Sequence, residues 1–154
     1  MPALALHFQH EQLARLAGTW EGEADIHPNP WGPSGIARGR WDFRLDRNGY
    51  ALIHDFAEER PGKFRFEAHG VFSVDPATEE IVWFWFDSYG FPPLVPSRGT
   101  WSDGRLELLK KTPRGQGRST FAVNGSSFDF LIENKLPEMD DFAPVSEGRY
   151  RRTG

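Results

Sequence analysis

"KFRFEAHGVFSVDPATEEIVWFWFDS" runs from Lys63 to Ser88, and its reading decides the fold. The first half alternates. Phe64, Phe66, Ala68, Gly70, Phe72 and Val74 fall on one side, and Lys63, Arg65, Glu67, His69 and Ser73 on the other. Period two puts successive side chains on opposite faces of a strand, so this half predicts a strand with one apolar face. Pro76–Glu79 supplies the turn, because a proline cannot continue the ladder. In the second half Trp83, Phe84, Trp85 and Phe86 stand in a row before Asp87. A strand over Glu80–Ser88 carries Trp83, Trp85 and Asp87 on one face and Phe84, Phe86 and Ser88 on the other. Two readings follow. Either one face packs in the core and the other lies under a helix or a partner subunit, or Trp83 and Trp85 wall a ring-lined pocket. In the pocket reading Asp87 is the polar handle; in the other it caps the loop at Tyr89-Gly90.

The same grammar extends in both directions. His10–Ala17 reads as one short helix, with Leu13 and Leu16 three apart and Gly18 as a stop signal. Thr19–His27 is a strand leading into the loop "PNPWGPSG". The next strand, Ile36–Arg47, is expected to bury Ala37, Gly39, Trp41, Phe43 and Leu45. Asn48-Gly49 is a strong hairpin signal, followed by a strand over Tyr50–Glu59 and the turn Pro61-Gly62. Beyond Ser88 come the loop "YGFPPLVP", a short strand closing at Trp101, and a hairpin at Asp103-Gly104. Leu106–Thr112, Arg118–Val123, Ser127–Leu136 and Val145–Arg152 complete the set, with Asn124-Gly125 joining the second and third of these. The fold class is therefore all-β. About ten strands with short connections and no crossover helix predict an antiparallel up-and-down barrel in one domain over residues 1–154, with a sandwich as the other architecture.

Composition sets the outer limits. One domain suits 154 residues, and 14% aromatics, with six Trp and thirteen Phe, fit a packed core rather than a disordered chain. A net charge of −4 disfavours nucleic acid and anionic membrane surfaces as partners. The absence of cysteine removes disulfides, thiolate nucleophiles and Cys-ligated metals. "MPALALHFQHEQLARLAG" lacks a basic n-region and does not read as a signal peptide, and no apolar run is long enough to span a bilayer. A soluble cytoplasmic protein is expected.

"LAGTWEGEAD" (Leu16–Asp25) is similar to the Gly-x-Trp entry of the calycin superfamily of lipocalins, fatty-acid-binding proteins and nitrobindin-type haem barrels. That resemblance implies that Trp20 sits at the closed end of the barrel, and that Arg149 or Arg151 in "GRYRR" covers it. "HGVFSVDPATEEIVWFWFDSYG" (His69–Gly90), with the Leu-x-Gly-x-Trp-x-Gly start, resembles domain-of-unknown-function family 1579. It implies a calycin-like, lipocalin-like barrel and at most a binding role, since that family has no agreed chemistry. Nitrobindin-type barrels take their haem histidine from the C-terminal part of the chain. No histidine follows His69 here, so no haem or other cofactor is expected.

Three functions are open to such a chain. The first is a binder of a small apolar or aromatic molecule, with Trp41, Phe66, Trp83, Trp85 and Phe128 lining the interior and His54 and Asp87 as polar contacts. The second is a filled barrel that forms a homodimer through an aromatic face. The third is a small lyase, isomerase or hydrolase in which His54 works with a buried carboxylate drawn from Asp55, Asp87, Glu107 or Glu133. His54 shares a face with Leu52 and Phe56, which equally suits a core histidine satisfied by a neighbour. No zinc spacing, EF-hand, phosphate loop or nucleophile elbow is present.

Overall fold

Ten strands pair in chain order and the tenth returns to the first, closing an antiparallel up-and-down barrel. The computed structural model describes residues 5–154; the first four residues of the stretch read above as lacking a signal peptide lie outside the described residues. A six-residue helix α1 (Phe8–Leu13) and a 3₁₀ turn (Ala14–Leu16) precede β1 (Gly18–Ile26). There follow β2 (Gly35–Asp46), β3 (Ala51–Arg60), β4 (Phe64–Val74), β5 (Ile81–Asp87), β6 (Ser97–Ser102), β7 (Arg105–Thr112), β8 (Gly115–Asn124), β9 (Ser127–Lys135) and β10 (Ala143–Arg152). No helix among the described residues is long and apolar enough to cross a membrane.

The helix starts earlier and ends sooner than Leu13 and Leu16 alone suggested. His7 supplies the start: its Nδ1 accepts the Gln9 amide N–H at 3.1 Å, and the His10 Nδ1 accepts the His7 N–H at 2.8 Å. Gln9 then docks α1 onto the barrel, its side-chain amide donating to the Trp101 carbonyl and accepting the Trp101 N–H. Leu13 and Leu16 are buried and plug this end. The helix does not lie on β5, whose outward Phe84 and Phe86 are 41% and 49% exposed.

Trp20 is fully buried at the plugged end, and its Nε1–H donates to the Leu16 carbonyl at 2.8 Å. The guanidinium over its ring belongs to Arg152, 4.2 Å from the centroid, not to Arg149 or Arg151. Alternation explains the correction. Tyr150 points inward, so Arg152 does too, whereas Arg149 points out and pairs with Asp129 at 2.7 Å, and Arg151 is exposed. Arg152 also donates to the Arg15 and Ala17 carbonyls, fixing the turn before β1. Arg152→Ala is expected to cost about 1–2 kcal/mol in denaturant unfolding through the lost cation–π contact and carbonyl bonds. Arg151→Ala should leave the unfolding midpoint in place.

Turn chemistry differs from expectation in two places. Asp103 and Gly104, at φ 52° and 75°, form the expected two-residue hairpin with left-handed geometry at both positions. Asn124 instead pairs with Ser127 inside the ladder, so the turn is Gly125-Ser126. The β2–β3 link takes four residues, Arg47–Tyr50, because Tyr50 leaves the ladder to set its ring edge-on to His10, 5.6 Å away. Leu45 lies near the end of β2 and is 45% exposed rather than buried.

Candidate functional site

Strand direction places two different ends on the barrel. The N-termini of β1, β3 and β5 and the C-termini of β2 and β4 lie at the end plugged by α1. Arg60, Phe64, Asp87, Thr112 and Lys135 mark the other end, over which the two Pro/Gly-rich loops pass. A cavity of about 340 Å³ occupies this open half. Trp31 from the first loop and Phe91, Pro92 and Pro93 from the second line its mouth.

Of the residues expected to line the interior, Phe66, Trp83, Trp85 and Asp87 border this cavity. Trp41, His54 and Phe128 do not; all three are sealed in the ring-packed half below it. Trp41 alone has eight rings within 6.4 Å of its centroid, among them Phe43, Phe56 and Phe130. The physical reason is depth. Period two tells which side chains point inward but not how far along the axis each one lies. Phe64, the outermost of the inward-facing residues of β4, reaches the rim and is 40% exposed, stacking on Tyr89 at 6.1 Å.

His54 is a core histidine satisfied on one side. Its Nε2 accepts the Trp83 indole N–H at 3.0 Å, which places the ring proton on Nδ1, an atom with no partner among the described residues. Burial, with a smaller push from His69, holds its pKa at about 3. A ring that stays neutral to that point and touches no cavity is not placed to act on a ligand.

The polar equipment of the cavity is otherwise. On β3 the inward face continues past Phe56 to Glu58 and Arg60, whose carboxylate and Nε lie 2.6 Å apart with Glu58 only 3% exposed. Burial pushes Glu58 above the usual carboxylate range, and Arg60 opposes the shift. Arg60 also donates to the Tyr89 hydroxyl at 2.8 Å and sits 3.9 Å over the Phe66 ring. Asp87 accepts the Trp85 indole N–H at 2.7 Å and the Tyr89 backbone N–H at 2.9 Å, so it both holds Trp85 and caps the loop. On β10, Tyr150 reaches the floor with its phenol pKa raised by burial and by the nearby Glu58 charge. Gly39 and Gly148 make this possible, since a Cβ at either would lie within 3.0 Å of the Phe56 or Tyr150 ring. On β7 the inward face runs Leu106, Leu108, Lys110, and burial lowers the Lys110 pKa.

Glu58, Arg60, Tyr89, Lys110 and Tyr150 are absent from the residues singled out by sequence. The signal existed: Leu52, His54, Phe56, Glu58 and Arg60 keep one parity, as do Leu106, Leu108 and Lys110. Charged residues at these strand ends rim the barrel interior. Among the described residues no group of three or more His, Asp or Glu is placed to hold a metal ion.

Solved structures of similar fold include the S-type phycobiliprotein lyase CPES from Guillardia theta, 10% identical over 97% of this chain and 99% of that one, with a TM-score of 0.68. Rv2717c from M. tuberculosis is 13% identical over 97% and 100% of the two chains, with a TM-score of 0.70. EF1p2_mFAP2b bound to DFHBI is 10% identical over 94% and 99%, with a TM-score of 0.53. No curated protein matches the chain. The model of a family described as "Protein of unknown function (DUF1579)" matches residues 7–125, and the chain belongs to that family.

Proposed function

We propose that the protein binds a small apolar or aromatic molecule in the cavity at the open end of the barrel. One observation carries the reading: a cavity of about 340 Å³ is walled by Phe66, Trp83, Trp85, Tyr89 and Phe130, with a few polar side chains set among them. That size and mixture suit a small organic ligand, whose rings contact the walls while the polar groups orient it. A barrel of similar fold has been solved with the small molecule DFHBI bound, in keeping with such a use of the interior. The space left open weighs against a wholly filled barrel. Acid–base chemistry through His54 is not proposed, because that ring lies below the cavity floor.

Trp85 is the residue to change. It is held by Asp87, packs 6.3 Å from Phe66 and lines the cavity without being part of the sealed core. Native mass spectrometry of freshly purified protein, compared with its denatured mass, identifies a retained ligand. Titration with that ligand then follows indole fluorescence. Trp85→Ala is expected to weaken binding by at least about tenfold, the loss of one well-packed aromatic wall, and the outward Arg65→Ala to leave it unchanged. Equal losses from both would remove the assignment.

A further inference from the structure

The charged groups of the cavity do not all have partners. Glu58 and Arg60 neutralise each other, and Arg60 is further engaged by Tyr89. Both oxygens of Asp87 accept from neutral donors. Lys110 is different: among the described residues it makes no ion pair and no hydrogen bond. It stands on the inward face of β7 directly above the buried Leu108, beside an apolar interior. Arg114, at the mouth, adds a second positive charge to the same wall.

The neighbouring strands leave room beside this ammonium. Lys110 pairs across to Gly117 on β8, and Gly117 pairs to Asn134 on β9, so the three form one row across the sheet. The middle member has no side chain. A Cβ built there would meet only the Asn134 Oδ1, at 3.7 Å, so packing does not demand glycine and the space in front of it is open. Adjacent strands lie about 4.8 Å apart, so Lys110 and Asn134 flank a notch roughly two strand spacings wide. Ser119, two residues deeper on β8, also lines the cavity, and neither its hydroxyl nor the Asn134 amide has a hydrogen-bond partner among the described residues. A cation, a hydroxyl and a side-chain amide thus converge on a gap floored by glycine backbone.

We infer that the ligand is a small aromatic carboxylate, its ring against Trp85 and Phe66 and its carboxylate in the notch between Lys110 and Asn134, with Ser119 below. This rests on the binding reading above and adds the chemical class. An anion there gives Lys110 the charge-assisted partner that it lacks within the chain. The half-burial that lowers the Lys110 pKa works in the same direction, since a poorly hydrated ammonium gains more from an incoming carboxylate. A neutral ligand of the same shape would leave the ammonium unpaired.

The test uses a matched pair of probes, 2-naphthoate and 2-naphthamide, titrated calorimetrically into the full chain. They share ring and shape and differ in charge. The acid is expected to bind at least about tenfold more tightly, the range of one charge-assisted hydrogen bond. In Lys110→Met the preference should shrink to within about twofold, through loss of acid affinity with amide affinity retained. Thermal unfolding of this variant should show little loss of stability, because Lys110 makes no hydrogen bond or ion pair among the described residues and the one opposite charge acting on it is the more distant Asp87. Equal affinities in the unchanged protein, or a preference that survives in Lys110→Met, overturns the carboxylate assignment and leaves the cavity reading standing. Failure of both probes to bind overturns both.

Discussion

Gly70→Ala is expected to destabilise the barrel by about 3 kcal/mol or more, an overpacking cost joined to a broken buried hydrogen bond. For a chain of this length that is a fall in Tm of roughly 6–12 °C. A Cβ at Gly70 would lie 2.2 Å from the His54 Nε2 and 2.8 Å from the Trp83 Nε1. Those two atoms are the ends of one hydrogen bond, so the methyl group intrudes on the bond itself. Neither ring can retreat without loss. His54 is packed against Trp41, Phe43 and Phe72, and Trp83 is stacked on Phe72 at 4.8 Å. Close packing leaves no void to receive the His54 ring, and Trp83 could move toward the cavity only by giving up its stacking on Phe72 and its bond to His54. The diagnostic measurement is a double-mutant cycle. His54→Ala empties the nearer position, so adding Gly70→Ala to it should cost at least about 1 kcal/mol less than in the unchanged protein. Strictly additive losses would show that the glycine serves some other need.

How much of this was legible beforehand divides along one physical line. Alternation in Ile36–Arg47 and Lys63–Asp75 carries the strands, their inward faces and the antiparallel closure, because side-chain parity is local. The Trp83–Asp87 run likewise brought Trp85 and Asp87 to the cavity wall, where they meet. Position along the axis is not local. Register, strand tilt and the loops that roof one end decide whether an inward residue reaches the cavity or the packed half. His54 and Trp85 belong to the same inward set with opposite fates: their rings are 5.6 Å apart, one sealed and one on the wall. The same blindness hid Lys110. Its parity with Leu106 and Leu108 was in the sequence, but only the row through Gly117 to Asn134 gives it a place to act. Arg152 was hidden for a simpler reason: among three arginines around Tyr150, counting from the buried tyrosine rather than from the end selects it.

His54 also sets how the protein responds to acid. A histidine normally titrates at 6.5, and this one is held at about 3. Above pH 6.5 the ring is neutral in both the folded and unfolded chain, so its contribution is complete. Between pH 6.5 and about 3 the unfolded chain takes up a proton that the folded chain refuses. Stability therefore falls as pH falls through that window, by up to about 1.4 kcal/mol per pH unit from this one group. Other groups add their own slopes: Asp42 and Asp55, held low by hydrogen bonds to Thr19 and His69, act in the same sense at lower pH, and Glu58, raised by burial, acts in the opposite sense. His54→Gln separates the contributions. Glutamine keeps an acceptor for the Trp83 N–H and has no proton to gain, while every other titrating side chain remains. Urea unfolding at a series of pH values is expected to give a shallower curve for His54→Gln than for the unchanged protein between pH 6.5 and 4, with the two running parallel above 7. Parallel curves throughout would mean that His54 takes a proton in the fold, and hence that water reaches it. That would return it from the core to the set of residues available to a ligand.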